Sequence, residues 1–392
     1  MIVIEILGGI LAALVLIPAM VVFAQVMLAF IPAPARLSSG QPRPSLAVLV
    51  PAHNEAEGIA ATLCSILPQL GREDRLLVVA DNCSDGTAKI VAEAGAEVIE
   101  RTDMERRGKG YALDFGLRHL KDNPPEVVII VDADCRVEGG GIDRLARTCG
   151  KSQRPVQALY QMNTPLHASL QMRIAQFAWV MKNWIRPLGN ERLGLPCQLT
   201  GTGMAFPWIL ISNVSLAHAE LVEDMKLGID LALAGYPPMF CPEARVTSQF
   251  PETAQAVSTQ RTRWEHGHIG MIMREAPRLL LRSLSRRDVR LLALALDLAV
   301  PPLSLLVAVM VAVLALTYVL NLIGLYALPL ALVSIAFWLL VLAVLAAWLG
   351  WGRRILPIGA LLAVPFYVLA KVPMYLKFWT RRQKEWVRTE RK

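Results

Sequence analysis

Two aspartates separated by one residue, Asp132 and Asp134, follow the strongly apolar segment Val127–Val131. Carboxylates placed in this way suit a hard cation such as Mg²⁺ or Mn²⁺, which takes a few carboxylates together with phosphate oxygens. Such an ion neutralises the charge of a departing diphosphate. A solvated turn is the alternative, but the polar clusters elsewhere in this region favour a metal site at these two aspartates.

Two other polar segments suit the recognition of a nucleotide. The turn Asp81–Thr87 enters a helix. Helix capping explains Ser84, Asp85 and Thr87 but not Asp81, whose carboxylate is able to accept hydrogen bonds from a base or a ribose. Gly108-Lys109-Gly110 opens a second helix, where Lys109 suits a phosphate or carboxylate partner. The spacing is not that of a P-loop, and an ordinary surface lysine is the alternative.

Glu223 and Asp224 stand at the predicted start of another helix. Acidic residues in a first turn commonly complement the helix dipole. A carboxylate close to an acceptor hydroxyl acts instead as a general base. The spacing alone does not choose between these two roles.

Gln260, Arg263 and Trp264 lie on one face of a predicted helix, because they are three and four residues apart. The indole offers a flat platform for a sugar or a base, and the guanidinium of Arg263 suits a diphosphate. His266 and His268 follow directly. Since no third metal ligand is near them in the sequence, we interpret them as satisfied or acceptor-side histidines rather than a metal pair.

Short apolar runs that alternate with helical stretches position these residues. Continuous apolar strands of this kind predict a parallel sheet with both faces covered. Ligands bind at the carboxyl ends of the strands in such sheets, so the polar clusters are expected to converge on one crevice. The predicted strands are Leu46–Val50, Arg75–Ala80, Ala96–Glu100 and Val127–Val131, and the predicted helices between them are Glu57–Leu70, Thr87–Ala94 and Gly108–Leu120.

The two ends of the chain predict membrane segments. The mean hydropathy is +0.44, and the apolar residues concentrate outside the middle of the chain. Ile2–Ile31 carries one charge and exceeds the roughly 20 residues that cross a bilayer, so we expect an uncleaved anchor rather than a signal peptide. Pro301–Leu320 and Leu325–Leu349 are also long enough to span. Prolines and lysines interrupt Ile355–Trp379, for which we predict a re-entrant or interfacial segment, with a third span as the alternative.

The net charge of +8 comes from basic residues beside the apolar segments. This distribution indicates anionic lipid and a cytoplasmic catalytic domain rather than nucleic acid. Arginines recur every four residues in an amphipathic stretch suited to a membrane surface, although a solvated helix face is the alternative. These are Arg274, Arg278, Arg282 and Arg286.

The predicted organisation has six parts. They are an N-terminal transmembrane helix at 1–31, a linker at 32–44, a cytoplasmic catalytic domain at 45–268, amphipathic interface helices at 269–298, a C-terminal membrane region at 299–380 and a basic cytoplasmic tail at 381–392.

Taken together, the motifs resemble those of the family 2 glycosyltransferases, especially the membrane branch related to cellulose, chitin and hyaluronan synthases. The resemblance covers about Leu46–His268, and the membrane segments flank it in similar places. The motifs are Pro51-Ala52-His53-Asn54-Glu55, Asp81 with its S-D-G-T turn, Gly108-Lys109, Asp132-x-Asp134, Gly201-Thr202-Gly203, Glu223-Asp224 and Gln260-x-x-Arg263-Trp264.

The resemblance implies an α/β, Rossmann-like nucleotide-sugar-binding fold of the glycosyltransferase A type and an inverting single displacement. It assigns Asp224, beside Glu223, to deprotonation of the acceptor, and Gly201, Thr202, Gly203 and Trp264 to the acceptor site. Asp132 and Asp134 are assigned to the metal. The residues assigned to the nucleotide-sugar are Pro51, Ala52, His53, Asn54, Glu55, Asp81, Lys109, Asp132, Gln260, Arg263 and Trp264.

The predicted function is therefore transfer of a hexosyl or N-acetylhexosaminyl group from a UDP-sugar, dependent on Mg²⁺ or Mn²⁺, to a polysaccharide or lipid acceptor at the cytoplasmic face of the plasma membrane. Asp81-Asn82 departs from the two acids of many relatives, and three firm spans are few for a polymer channel, so processivity stays open. The alternatives are a non-processive glycolipid synthase, a glycan hydrolase and an inactive membrane scaffold. Export partners or a homo-oligomer are compatible with each.

Overall fold

The computed structural model describes residues 2–32, 42–165, 167–216, 222–251, 253–324 and 327–380. Most of the predicted linker and the whole basic tail lie outside these residues. The described residues form two compact units. The sheet unit comprises those of Pro34–Asn163 and Pro196–Ala256, and the membrane unit comprises those of Met1–Ala33, Thr164–Leu195 and Val257–Gln383.

An eight-stranded sheet forms the sheet unit, in the order β3-β2-β1-β4-β7-β6-β8-β5. Strands β1 to β4 are mutually parallel, whereas β7 runs antiparallel to β4 and β6, and β5 antiparallel to β8. The strands are β1 Leu46–Ala52, β2 Arg75–Asp81, β3 Glu97–Arg101, β4 Val127–Ile130, β5 Arg136–Val137, β6 Val156–Asn163, β7 Met204–Pro207 and β8 Met239–Gln249.

The four strands predicted from the sequence are confirmed within two residues at each end. Their apolar residues are covered on both sides, and Leu49, Val79 and Ile130 are fully buried. The prediction of a parallel sheet was incomplete, because β5 and β7 make the sheet mixed. Both are very short, so they carry little of the periodic pattern from which strands are predicted.

Six helices belong to the sheet unit. Gly116 of α4 lies so close to the sheet that a Cβ atom there would approach the side chains of Leu49 and Val79 to within 2.5 and 2.9 Å. The helices are α2 Ile59–Ile66, which a 3₁₀ turn extends to Gln69, α3 Thr87–Glu93, α4 Lys109–Leu120, α5 Gly141–Ser152, α8 Trp208–Ile211 and α9 Glu223–Leu233.

The membrane unit is helical. Within the described residues, four helical segments are long and apolar enough to cross a membrane, namely Leu7–Ala29, Leu303–Leu322, Ala327–Gly352 and Ile358–Phe378. The helices are α1 Ile2–Ala29, α6 Leu170–Val180, α7 Arg186–Arg192, α10 Ala254–Arg286, α11 Val289–Ala299, α12 Leu303–Leu322, α13 Ala327–Ala347 and α14 Val364–Thr380. A π-helical turn, Met181–Ile185, joins α6 to α7, and a second one, Trp348–Gly352, continues α13.

Candidate active site

Asp132 and Asp134 follow β4, as the sequence predicts. The backbone N–H of Asp132 donates to the hydroxyl of the fully buried Thr202 at 3.0 Å, which fixes the turn. Asp134 accepts a hydrogen bond from the hydroxyl of Ser248 in β8 at 3.4 Å. Ligand atoms of Asp132, Asp134 and Cys135 lie within 4.8 Å of one another. The two partly exposed carboxylates suit a hard cation.

Cys135 is poorly suited to be a third ligand for a hard cation. Its side chain is buried, and burial together with the negative charge of Asp132 raises the pKa of the thiol to about 12. A protonated thiol is a poor ligand, and Mg²⁺ and Mn²⁺ prefer oxygen donors. A divalent ion here would therefore be held by Asp132, Asp134 and oxygens of a bound diphosphate.

Lys109 is the first residue of α4 and forms an ion pair with Asp132. Its ammonium group also donates to the carbonyl oxygen of Gly201 at 2.7 Å. Burial alone would lower its pKa, but the charges of Asp132, Glu223 and Asp224 outweigh that effect and raise it to about 12. Lys109 is therefore a permanent positive charge at the centre of the site, and the alternative of a surface lysine is wrong.

Asp224 lies in the first turn of α9, beside Glu223. A Cβ atom built on Gly201 would lie 3.4 Å from a carboxylate oxygen of Asp224 and 3.7 Å from the ammonium nitrogen of Lys109. The geometry therefore brings Asp224, Lys109 and Asp132 together around Gly201. This arrangement places the carboxylate of Asp224 near Lys109 and the candidate metal ligand Asp132, while its role as a general base stays a prediction.

The segment Gly201–Gly203 has a conformation that needs glycine at both ends. The φ angles of Gly201 and Gly203 are +90° and +64°, and a Cβ atom on Gly203 would lie 2.7 Å from Val246. Thr202 between them is fully buried, and its carbonyl oxygen accepts from Gln157 at 2.9 Å. The side chain of Thr202 thus supports Asp132, while contact of this segment with an acceptor stays a prediction.

Asp81 ends β2 and pairs with a residue that sequence reasoning missed. Arg101, the last residue of β3, donates to one carboxylate oxygen of Asp81 at 2.6 Å, and Asn82 donates to the same oxygen at 3.1 Å. The second oxygen has no hydrogen-bond partner within the described part of the chain. The signal that was available for Arg101 was its position at the carboxyl end of a strand, next to the end of β2.

The loop after β1 is tied to the turn after β2. His53 Nδ1 lies 2.7 Å from the carbonyl oxygen of Asp81, the side chain of Asn54 accepts from the N–H of Ser84 at 2.7 Å, and the N–H of Glu55 donates to Thr87 at 2.9 Å. Pro51 and Ala52 end β1 directly before this loop. The five residues of this motif thus lie beside Asp81, and their contact with a nucleotide stays a prediction.

Gln260, Arg263 and Trp264 lie on α10, in the membrane unit. Gln260 is buried, and the Trp264 ring packs against Trp179 of α6 with centroids 5.1 Å apart. The prediction that they share one helical face is confirmed. Their approach to a nucleotide held by the sheet unit stays a prediction.

The two histidines after Trp264 are buried within the membrane unit. His266 Nε2 lies 3.0 Å from the carbonyl oxygen of Met374 and donates a hydrogen bond to it. His268 is buried, and this burial, with the nearby charges of Lys182 and Arg186, holds its pKa well below the usual range. Within the described residues, Nδ1 of His266 and Nε2 of His268 have no hydrogen-bond partner. The interpretation as satisfied histidines is therefore only partly confirmed, and an acceptor-side role stays a prediction.

Comparison with known proteins indicates a family. A family model described as glycosyltransferase like family 2 matches residues 42–267, more than half of the chain. The probable glycosyltransferase YdaM of Bacillus subtilis is 27% identical over 241 residues, which cover 59% of this chain and 57% of that protein. A poly-beta-1,6-N-acetyl-D-glucosamine synthase of Staphylococcus epidermidis is 23% identical over 59% of this chain and 56% of its own length. The chain thus matches little more than half of each relative.

Among solved structures, a mannosyltransferase from Pyrobaculum calidifontis in complex with GDP-Man and Mn²⁺ has the same fold. The TM-score is 0.52 at 18% sequence identity, and the match covers 88% of this chain and 97% of that one. Together with the strand order, this similarity confirms the predicted glycosyltransferase A fold.

Proposed function

The chain belongs to the glycosyltransferase family 2, and from this premise we propose that it is an inverting membrane enzyme that transfers a hexosyl or N-acetylhexosaminyl group from a UDP-sugar to a polysaccharide or lipid acceptor. The observation that carries the proposal is the cluster of Asp132, Lys109 and Asp224 around Gly201. It combines carboxylates for a cation, a fixed positive charge and a candidate base.

Asp224 is the proposed general base. It takes the proton of the acceptor hydroxyl while that oxygen forms a bond to the anomeric carbon of the donor sugar. The bond from this carbon to the diphosphate breaks, and its electron pair leaves with UDP, so a single displacement inverts the configuration. A base of this kind contributes about 10²–10⁴-fold to a rate.

Asp132 and Asp134 would hold Mg²⁺ or Mn²⁺. When bound, the ion supplies positive charge to the diphosphate oxygens of the leaving nucleotide. Lys109 orients Asp132 through their ion pair, and its raised pKa keeps it charged throughout the neutral range. In the other unit, Arg263 and Trp264 are proposed to close over the diphosphate and the acceptor, as the resemblance implies.

The surroundings of Asp81 favour uridine over guanosine. Arg101 and Asn82 both occupy one of its carboxylate oxygens, which leaves one oxygen to accept a hydrogen bond. The pairing edge of uracil has a single N–H donor between two carbonyl oxygens, whereas that of guanine has adjacent N1–H and N2–H donors, which suit both oxygens of a carboxylate. One open oxygen therefore fits uracil. A GDP-sugar is the second candidate, because the mannosyltransferase of similar fold was solved with GDP-Man.

Binding and product analysis test this proposal. Purified chain in detergent is titrated with UDP and with GDP in the presence of Mn²⁺, and membranes are then incubated with labelled UDP-sugars and GDP-sugars. We expect tighter binding of UDP and release of UDP with one donor sugar. A lipid-sized product would indicate single transfer, and a ladder would indicate polymerisation. Nucleotide-sugar binding without turnover, whatever the acceptor, would instead support the inactive scaffold.

We further propose that the enzyme is a multi-pass protein of the plasma membrane with its catalytic domain in the cytoplasm. The C-terminal end of α1 lies beside the end of α13, since the rings of Phe30 and Trp351 are 4.8 Å apart. The same end of α1 lies beside the residues that lead into α12, because Gln25 donates to Asp297 at 2.7 Å. These three helix ends therefore mark one side of the membrane unit, which we assign to the cytoplasmic face.

The segment Ile358–Phe378, which contains most of α14, is proposed to lie in the plane of this face rather than to cross the membrane. It begins beside Trp348, whose ring N–H donates to the carbonyl oxygen of Leu356 at 2.7 Å. If the segment crossed the membrane from there, Tyr375 would lie about 25 Å below this face, because a helix rises 1.5 Å per residue. Instead Tyr375 lies 2.6 Å from the hydroxyl of Ser304, the second residue of α12. Both ends of the segment are thus at the same level.

A reporter fused after Lys392 tests this topology, and a fusion after Gly324, between α12 and α13, is the matched control. We expect cytoplasmic activity for the first fusion and non-cytoplasmic activity for the second, in agreement with the positive-inside rule. Non-cytoplasmic activity of both fusions would mean that Ile358–Phe378 crosses the bilayer.

A further inference from the structure

A cluster of polar and charged side chains joins three helices of the membrane unit. Lys371 of α14 forms an ion pair with Glu265 of α10. The hydroxyl of Tyr375 donates to the other carboxylate oxygen of Glu265 at 2.5 Å, and Ser304 of α12 lies 2.6 Å from that hydroxyl and 3.3 Å from the ammonium group of Lys371. We call these four residues the Glu265 cluster.

The Glu265 cluster removes two charged side chains from water, which costs free energy. The side chains of Lys371 and Glu265 are only 13% and 15% exposed, and Lys371 is one of the two lysines, with Lys377, in the apolar segment Ile358–Phe378. Well-packed apolar side chains often stabilise a fold as well as a buried ion pair does. Stability alone therefore does not explain the cluster.

The residues of α10 that contact α14 are adjacent to the predicted donor and acceptor residues. Arg261 lies over the ring of Tyr367 at 6.0 Å, and Glu265 follows Arg261 by one helical turn. Gln260 directly precedes Arg261, and Trp264 directly precedes Glu265. Neighbouring residues of a helix point about 100° apart, so Gln260 and Trp264 lie on the adjacent face of α10. A change in the rotation of α10 that breaks the contact with α14 would therefore also move Gln260 and Trp264.

We propose that Glu265 and Lys371 are positioning residues, which hold α10 in the rotation that presents Gln260, Arg263 and Trp264 to the donor and acceptor. This inference rests on the proposed function. Trp264 itself packs against Trp179 of α6. Because a misplacement of about 1 Å costs on the order of 10²-fold in rate, a pair that fixes this rotation has a direct effect on turnover.

The first experiment separates positioning from nucleotide binding. Lys371→Met and Glu265→Gln are introduced into the full chain, and UDP affinity with Mn²⁺ and turnover per UDP-binding site are measured in detergent or nanodiscs. We expect kcat to fall about 10–100-fold. The Kd of UDP should change much less than kcat, because Asp81 and Asp132 belong to the sheet unit and only the diphosphate is expected to contact α10, through Arg263. Lys371→Arg keeps the charge and should retain most of kcat.

Charge reversal provides the specific test. Glu265→Lys and Lys371→Glu are each expected to reduce kcat, and the double variant should recover part of it, because the pair forms again in the opposite sense. The matched control is the exposed pair of Lys89 and Glu93 on α3, whose side chains are 79% and 65% exposed. Reversal of the control pair should leave kcat unchanged.

Three results would overturn the inference. The first is a wild-type kcat in Lys371→Met. The second is a charge-reversed double variant, Glu265→Lys with Lys371→Glu, that is no more active than either single variant. The third is a smaller yield of folded protein whose turnover per UDP-binding site is unchanged. If the single variants do not fold, Tyr375→Phe removes one hydroxyl and should still lower kcat by a few fold; an unchanged kcat would then refute the role. A wild-type chain that transfers no sugar refutes the proposed function itself, which separates that failure from this one.

Discussion

The two units of the molecule use charged side chains in different ways. Near the end of β4 in the sheet unit, paired charged groups stay partly accessible to a ligand, since the side chains of Lys109 and Asp132 are 20% and 31% exposed. In the membrane unit, Arg186 and Asp297 form an ion pair, and their side chains are only 8% and 9% exposed. The first arrangement is open and the second is closed.

The closed arrangement is a hydrogen-bonded network between α1, α7 and α11. Arg186 donates to Gln25 at 2.7 Å and to the carboxylate of Asp297 at 2.8 Å. Gln25 in turn donates to Asp297 and to Asn190, at 2.7 and 3.2 Å. Buried polar groups that satisfy one another hold helices together, whereas groups with open atoms bind ligands. Substitutions should therefore reduce activity in one unit and stability in the other.

The largest effect on activity is expected from Asp224→Asn. The amide cannot accept the proton of the acceptor, so kcat should fall about 10²–10⁴-fold. The affinity for UDP should change little, since a base acts chiefly in the transition state. Single-turnover transfer and UDP titration measure the two quantities.

Asp230→Asn is the matched control on the same helix. Asp230 is exposed and pairs with Lys226 one turn away, and an exposed pair of this kind contributes little. Its activity should equal that of the wild-type chain. If Asp224→Asn transferred sugar at the wild-type rate, the base would have to be another group, and Glu223 would be the next to test.

A loss of stability is expected from Asp297→Ala. The substitution leaves the buried guanidinium of Arg186 without its counter-ion, and breaking one side of a buried pair costs about 3–5 kcal/mol. The melting temperature in detergent should fall clearly, while the chain that remains folded binds UDP normally. Asp297→Asn keeps an acceptor for Gln25 and should cost less. Unchanged melting of both variants would contradict the contrast between the two units.

A smaller effect is expected from Asp134→Ala, which removes one ligand of the proposed metal. Loss of a charged contact of about 1.5–3 kcal/mol corresponds to a UDP affinity about 10–150-fold weaker in the presence of Mn²⁺. Without the metal, the variant and the wild-type chain should bind UDP equally. Glu138→Ala, at an exposed acid paired with Arg245, is the control. Equal affinity of all three proteins with Mn²⁺ would remove Asp134 from the metal site.

The sequence predicted the elements with strong periodicity and the residues at their ends. Asp132, Lys109 and Asp224 were named because polar residues after apolar strands converge in an α/β fold. Arg101 and Ser248 were missed, since each meets its partner only through strand pairing or a turn that brings distant segments together. The pairing of Glu265 with Lys371 was missed for the same reason, because the two residues are 106 positions apart.

The smallest effect is expected from pH acting on Lys109. Its pKa in the folded chain is raised from 10.5 to about 12, because the charges of Asp132, Glu223 and Asp224 outweigh burial. A raised pKa means that the stabilisation is complete below the unfolded value of 10.5 and is lost as the pH rises towards 12. Lys109→Met should therefore lower the melting temperature by the same few degrees throughout about pH 7 to 10. A difference that vanished by about pH 9 would show that Lys109 loses its proton in the folded protein, and the fixed charge at the centre of the open site would have to be abandoned.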